Sequence, residues 1–137
     1  MKSMLNVMIA FVVMFIITMG YHHFDTRYLP VVKDFTVTEK TLDGKHLIFS
    51  GSFDKVKNCQ LESLRFYQDF DGYSYIIHYE FLDRSSSGAI QSRPLGQQIF
   101  SNWKIHLYEL KGEVYLVTTH RCNQFWVQQS RLFIAKI

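Results

Sequence analysis

The sequence predicts an all-β protein, an antiparallel β-sandwich with one disulfide, which follows an N-terminal transmembrane helix. The first twenty or so residues are almost wholly apolar, and the rest alternates between apolar and polar residues in short segments. These segments are separated by turn signals such as Asp-Gly. The 12 Phe, 8 Tyr and 2 Trp favour strands. Short strands at this spacing are typical of a sandwich or a small barrel.

The apolar N-terminal segment has the length of a membrane span. Residues 4–21 would extend roughly 27 Å as a helix, close to the ~30 Å hydrocarbon core of a bilayer. Lys2 and the terminal amine favour the cytoplasmic side. The segment is interrupted only by Asn6, Thr18 and Gly20.

This segment predicts an inner-membrane protein with a cytoplasmic N-terminus and an extracytoplasmic, periplasmic C-terminal domain. We expect residues 1–24 to form the signal anchor, residues 25–30 a juxtamembrane linker, and residues 31–137 the exported domain. The lipid bilayer is then the partner of residues 4–21. In a second interpretation the segment is a signal peptide cleaved near Gly20, and the domain is secreted. A buried core helix is disfavoured because residues 4–19 have no polar face.

The exported part contains seven segments with strand-like alternation. Asp43-Gly44 and Asp71-Gly72 predict hairpin turns between the first and second strands and between the third and fourth. Residues 84–98, rich in Ser, Gly and Gln, predict a long loop that is functional or mobile. The predicted strands cover residues 31–39, 46–53, 61–67, 73–82, 100–110, 113–122 and 131–137.

The sandwich is predicted to have an immunoglobulin-like architecture, while the sequence leaves its strand order undecided. The wide separation of Cys59 and Cys122 resembles the cysteine spacing of immunoglobulin domains. However, Trp103 follows Cys59 at too great a distance to be the strand-C tryptophan of such a domain.

The two cysteines could act as a nucleophile, as metal ligands or as a disulfide. His120 shares a strand face with Cys122, but side chains two residues apart on a strand stand about 7 Å apart and do not touch. A zinc site would need Cys59, Cys122 and His120 with His78 or His106, yet no C-x-x-C or H-x-x-x-H spacing is present. The sequence therefore predicts no metal site and no catalytic cysteine.

A disulfide between Cys59 and Cys122 is the favoured alternative. An exported compartment is oxidising, and a small domain benefits from a covalent link. Closing a loop of about 64 residues is expected to destabilise the unfolded chain by roughly 4 kcal/mol.

Two motifs carry a resemblance to a known group of proteins. They are GSFDKVKNC at residues 51–59 and HRCNQFW at residues 120–126. Together they resemble small single-anchor exported proteins encoded in tailed-phage genomes, which share a G-x-x-x-K-x-x-x-C stretch and a C-terminal H-x-C-x-x-x-W. The resemblance implies an exported location and pairing of the two cysteines, but no particular activity.

Composition and motifs exclude several classes of function. The net charge is only +3 and no Lys/Arg block occurs, so nucleic-acid binding is not expected. No Ser-His-Asp set, paired catalytic carboxylates or phosphate-binding loop is recognisable. We therefore expect a non-enzymatic protein without a cofactor, which binds or modulates a protein or glycan of the cell envelope. The candidate contact residues are Lys55, Lys57, Arg84, Arg93 and Trp126.

The aromatic residues Tyr73, Tyr75, Tyr79 and Trp103 permit two interpretations. They could form a sugar-binding face, or they could fill the core, and the core is favoured because small sandwiches use such side chains there. The Asp69-x-Asp71-Gly72 stretch is interpreted as a hairpin turn, since further calcium ligands are missing.

Two other functions remain as alternatives. A small envelope hydrolase would need a pocket joining His106 or His120 to Glu80 or Glu109. A virion structural component would use the hydrophobic segment for packing. Otherwise the histidines at positions 46, 78 and 106 occur singly on predicted strands, and no role is expected for them as a group.

Overall fold

The computed structural model describes residues 1–28, 30–82 and 94–137. By its internal contacts the chain divides into two units, Met1–Pro30 and Val31–Ile137. The first unit is one helix and the second is a β-domain, which agrees with the predicted combination of an apolar helix and antiparallel sheets.

Helix α1 comprises Lys2–Tyr28. It therefore continues beyond residue 24 and includes most of the segment 25–30 that was predicted as a linker. No proline interrupts the chain before Pro30, which is why the helix continues this far. The part Lys2–Asp25 is long and apolar enough to cross a bilayer.

The β-domain consists of two four-stranded antiparallel sheets. One sheet has the order β1-β2-β6-β5 and the other β4-β3-β7-β8. The described residues thus form eight strands, where the sequence predicted seven. The strands are β1 (Val32–Asp43), β2 (His46–Lys55), β3 (Gln60–Phe70), β4 (Tyr73–Ile77), β5 (Tyr79–Phe81), β6 (Gly96–His106), β7 (Glu113–Arg121) and β8 (Val127–Lys136).

The core lies between the two sheets and is rich in aromatic rings. The ring centroid of Phe49 on β2 is 6.1 Å from that of Phe66 on β3 and 6.0 Å from that of Trp103 on β6. Both pairs have the edge-to-face geometry that aromatic quadrupoles favour. All three side chains are buried, so these rings join the sheets.

The predicted strand 73–82 is wrong as a single strand, because it divides at His78. Ile77 at the end of β4 pairs with Phe66 on β3, whereas Tyr79 at the start of β5 pairs with Ile105 on β6. The chain therefore passes from one sheet to the other at His78. Alternation alone cannot reveal such a bend, since both halves keep the period of two.

The hairpin turns at both Asp-Gly pairs are confirmed. Asp43 pairs with His46, so Gly44 and Lys45 form a two-residue loop, in which Gly44 has a φ of 59°. In the second turn Asp71 and Gly72 have φ values of 51° and 79°. Positive φ at both central residues is the conformation that the Asp-Gly pair favours.

Strands β6 and β8 begin earlier than predicted. Strand β6 begins at Gly96 and ends at His106, so residues 96–98 of the predicted loop 84–98 are strand and residues 107–110 are not. Residues 84–93 of that loop lie outside the described residues. Strand β8 begins at Val127 instead of residue 131. Glutamines and a serine in these strands obscured the apolar pattern on which the prediction depended.

Candidate functional site

The predicted disulfide between Cys59 and Cys122 is present. Gln60 at the start of β3 pairs with Arg121 at the end of β7, so the two cysteines occupy the next position along the same strand pair. Their Cα atoms are 4.5 Å apart, the separation of directly opposed residues in an antiparallel pair. Both thiols are consumed, which removes the cysteine nucleophile and the cysteine metal ligands.

Only part of the predicted contact surface lies at the surface. Lys55 is only 6% exposed, although it was predicted as a contact residue. It ends β2 with its side chain turned towards the interior, because the inward positions of this strand include its last residue. Lys57 and Trp126 are half-buried, and Arg84 and Arg93 lie outside the described residues.

A small cavity of about 40 Å³ lies between the sheets. Its wall is mainly aliphatic and aromatic, but Lys55, Thr118, His120 and Trp103 contribute polar groups. Burial, and secondly the charge of Lys55, lowers the pKa of His120 to about 4, so this imidazole is neutral at pH 7. Burial also lowers the pKa of Lys55. Burial therefore opposes protonation of both side chains.

Three buried polar atoms of this cavity have no hydrogen-bond partner among the described residues. They are Trp103 Nε1, Thr118 Oγ1 and His120 Nδ1. A site of this size admits ordered water, which needs roughly 10–15 Å³, and water can bond to such groups. A drug-sized ligand needs a pocket of roughly 300–1,000 Å³, so the cavity is too small to hold one.

The outer face of the sheet β4-β3-β7-β8 carries an aromatic and aliphatic row, which we name the outer aromatic face. Its members are directly opposed on the four strands, since Tyr67 pairs with both Ile76 and Tyr115, and Tyr115 pairs with Phe133. Ile76 and Phe133, at the two ends of the row, are each 57% exposed. The face comprises the row Tyr67, Ile76, Tyr115 and Phe133, together with Arg131, which lies over the Tyr115 ring.

Arg131 makes two contacts on this face. Its guanidinium carbon lies 3.6 Å from the centroid of the Tyr115 ring, and its Nη2 lies 3.0 Å from Asp69 Oδ2. The Tyr115 hydroxyl donates to Asp69 Oδ1 at 3.0 Å, and the rings of Tyr67 and Tyr115 stack with centroids 5.5 Å apart. The face is therefore organised before any partner binds.

The aromatic residues singled out from the sequence do not form this face. Trp103 is buried in the core as expected, but Tyr73 is 68% exposed, and Tyr75 and Tyr79 are also exposed. The interpretation of all four as core residues is therefore wrong for the tyrosines. Tyr73 and Tyr75 lie on β4, an edge strand that has a neighbouring strand, β3, on one side only.

Three histidines form a row on the outer face of the other sheet. His46 on β2 is directly opposed to His106 on β6, and His46 Nε2 lies 3.1 Å from His106 Nδ1. The backbone N–H of His106 donates to the carbonyl of His78 at 2.9 Å, which puts His78 beside the pair. These residues line a depression of about 190 Å³ together with Tyr79, Glu80 and Lys104.

This histidine row was not predicted, because its members occur singly in the sequence. The row depends on the pairing of β2 with β6, whose histidines are 60 positions apart in the chain. The predicted strands 73–82 and 100–110 placed His78 and His106 in their interiors, so no sequence signal put them beside His46. Among residues 1–28, 30–82 and 94–137, no group of three or more His, Cys, Asp or Glu side chains is arranged to hold a metal ion.

Comparisons with protein-family models, with curated proteins and with solved structures find no match for this chain. Two exposed features are organised well enough to serve as binding sites, namely the outer aromatic face and the depression beside the histidine row.

Proposed function

We propose that the protein is a membrane-anchored binding protein whose β-domain works outside the cytoplasm. The observation that carries this proposal is that one chain contains both an apolar helix of membrane-spanning length, Lys2–Asp25, and a disulfide. Disulfides persist in oxidising compartments, and Lys2 favours a cytoplasmic N-terminus. The anchor lies in the inner membrane in this proposal, and cleavage near Gly20 would instead release the domain.

Fractionation together with electrophoresis tests this location. The full-length chain should sediment with membranes, resist alkylation of Cys59 and Cys122 until it is reduced, and migrate faster on non-reducing gels. External protease added to spheroplasts should degrade the β-domain. Recovery of the intact chain from cytosol with both thiols alkylated would contradict the proposal.

An immunoglobulin-like fold for the β-domain is part of the proposal. The order β1-β2-β6-β5 corresponds to strands A-B-E-D of such domains, and β4-β3-β7-β8 corresponds to C′-C-F-G. The correspondence supports a common Greek-key arrangement. Two details differ from antibody domains, because the disulfide here joins neighbouring strands of one sheet and Trp103 lies on β6, the strand E equivalent.

We further propose that the outer aromatic face binds another extracytoplasmic protein. Protein interfaces are enriched in aromatic residues and Arg, and their energetic centres contain rigid anchors of these types. Tyr67, Phe133 and the stacked Arg131 fit this description. Arg65 and Arg131 both pair with Val117, so two cations flank the row. A partner surface that combines apolar side chains with a carboxylate would complement it.

Site-specific photo-crosslinking tests this face. A photoreactive phenylalanine analogue at position 133 should give one discrete crosslinked product in membranes of the producing cell. The matched control is the same analogue at position 99, because Ile99 is 74% exposed on the other sheet. Arg131→Ala should weaken the product from position 133. Equal products from both positions would contradict a specific interface.

The resemblance to tailed-phage proteins suggests a setting for this activity. A phage-encoded protein of this type would modulate a component of the host envelope during infection, and its partner would be a host membrane protein. Mass spectrometry of purified phage particles separates this function from that of a virion component, since only a virion component is retained in the particles.

A small envelope hydrolase is the second candidate function, and one observation favours it. His106 and Glu80 line the same depression, as a general base and an acidic partner would. Glu80 Oε2 is also 4.0 Å from Lys104 Nζ. If alanine at both His106 and His120 leaves the phenotype of the producing cell unchanged, this candidate fails.

A further inference from the structure

We propose that His46 and His106 together bind a divalent zinc ion. This site is separate from the outer aromatic face, because it lies on the sheet β1-β2-β6-β5. The proposal goes beyond the binding function proposed above and does not depend on it. Imidazole nitrogen is a preferred zinc ligand.

The separation of the two facing nitrogens fits a single metal ion. Zinc lies about 2.0–2.1 Å from imidazole nitrogens, so two such ligands of a tetrahedral ion are about 3.3 Å apart. His46 Nε2 and His106 Nδ1 are 3.1 Å apart, and the ring centroids are 4.8 Å apart at an angle of 58°. To bind one ion, both rings rotate so that their lone pairs leave the line between the two nitrogens and point to a common position beside it.

The backbone holds this pair in place on two central strands. Strands β2 and β6 are neighbours in the middle of their sheet, and the residues next to the pair, Leu47 and Ile105, are buried and directly opposed. The ordered scaffold lowers the entropy cost of bringing two ligands together.

The surroundings leave room for the remaining ligands of the ion. The depression of about 190 Å³ is open to solvent and is lined by Glu80 and Lys104 beside the histidines. No third protein ligand is in place among the described residues. Water or a group from a partner molecule therefore fills the other positions, as in zinc sites that keep an open position.

Metal binding changes the hydrogen bond between the rings. The present contact requires a proton on one of the two facing nitrogens. Zinc requires a lone pair on both, so that proton moves to the other nitrogen of the same ring. The two states are distinguishable by the imidazole resonances, which makes the proposal testable without any activity assay.

Titration of the untagged full-length chain in neutral detergent micelles with zinc chloride tests the site. We expect one zinc ion per chain by calorimetry, with shifts of the imidazole nuclear magnetic resonances of His46 and His106. His46→Gln and His106→Gln should each weaken binding at least tenfold. Magnesium chloride should cause no shift at these residues, because Mg²⁺ prefers oxygen ligands.

The matched control removes two imidazoles elsewhere, by His22→Gln together with His23→Gln in the helix. This control should bind zinc as the unaltered chain does. All variants should first show the same cooperative thermal unfolding without zinc. The proposal is overturned if either strand variant binds zinc as tightly as the unaltered chain does, or if no saturable binding is found.

Discussion

The side-chain carbonyl of Gln68 on β3 accepts a hydrogen bond from the backbone N–H of Tyr108 at 2.9 Å. The amide group of the same side chain donates to the carbonyls of Glu109 and Lys111 at 2.6 and 2.8 Å. Gln68 is fully buried, and so one interior side chain fixes the connection between β6 and β7. Backbone groups in this connection cannot pair within a strand, which is why they need such a partner.

Replacing this amide is expected to destabilise the domain. Gln68→Leu leaves three backbone groups without their partner, which should lower the free energy of unfolding by about 2–4 kcal/mol. Urea unfolding of the full-length chain in micelles measures the change. Gln129→Leu is the control, since Gln129 is exposed on β8 and should change stability by less than about 0.5 kcal/mol. Similar values for the two variants would show that these bonds contribute little.

The disulfide is expected to contribute a large share of the stability. Cys59→Ser together with Cys122→Ser should lower the free energy of unfolding by about 4 kcal/mol, because the bridge closes a loop with a sequence separation of 63. A reductant should lower the stability of the unaltered chain by the same amount. It should not change the stability of the double variant. An effect of the reductant on the double variant would point to another cause.

Gly112 is expected to tolerate no side chain. Its φ is 91°, and an added Cβ would lie 2.1 Å from the carbonyl oxygen of Asp69. Gly112→Ala should therefore cost more than about 3 kcal/mol, whereas Gly44→Ala should cost about 1 kcal/mol. Gly44 also has a positive φ but has open space around it, so the difference between the variants measures the clash with β3. If Gly112→Ala and Gly44→Ala lower the unfolding temperature equally, such a clash is excluded.

The buried imidazole of His120 is expected to weaken the fold at acidic pH. Its pKa is about 4 in the folded chain against 6.5 in an exposed imidazole, because burial and the Lys55 charge disfavour protonation. Between these values the unfolded chain binds the additional proton. The free energy of unfolding therefore falls as the pH falls from 6.5 to 4, by up to about 3 kcal/mol.

Replacement of this histidine isolates its part of the pH dependence. His120→Gln should lose less stability between pH 7 and pH 4.5 than the unaltered chain does. Both proteins have the same carboxylates, so the difference between them reports on His120. Urea midpoints at several pH values measure the difference. Parallel curves for the two proteins would mean that His120 titrates normally in the folded chain.

Local features of the sequence determined much of this fold. The apolar run before Asp25 specified the helix, because a helix lets a single apolar segment pair its backbone groups within itself. Asp43-Gly44 and Asp71-Gly72 specified two hairpins, because their turns need a positive φ that few residues adopt. The pairing of Cys59 with Cys122 followed from composition, since the chain has only two cysteines.

Tertiary structure decided the features that depend on pairing between distant strands. The passage of the chain between sheets at His78, the burial of Lys55 and the opposition of His46 and His106 all require the order β1-β2-β6-β5. Hydrophobic periodicity assigns a residue to one of two faces, but it does not say which strand lies beside it. That choice is made by the packing of whole sheets around Phe49, Phe66 and Trp103, and it brings the proposed zinc ligands together.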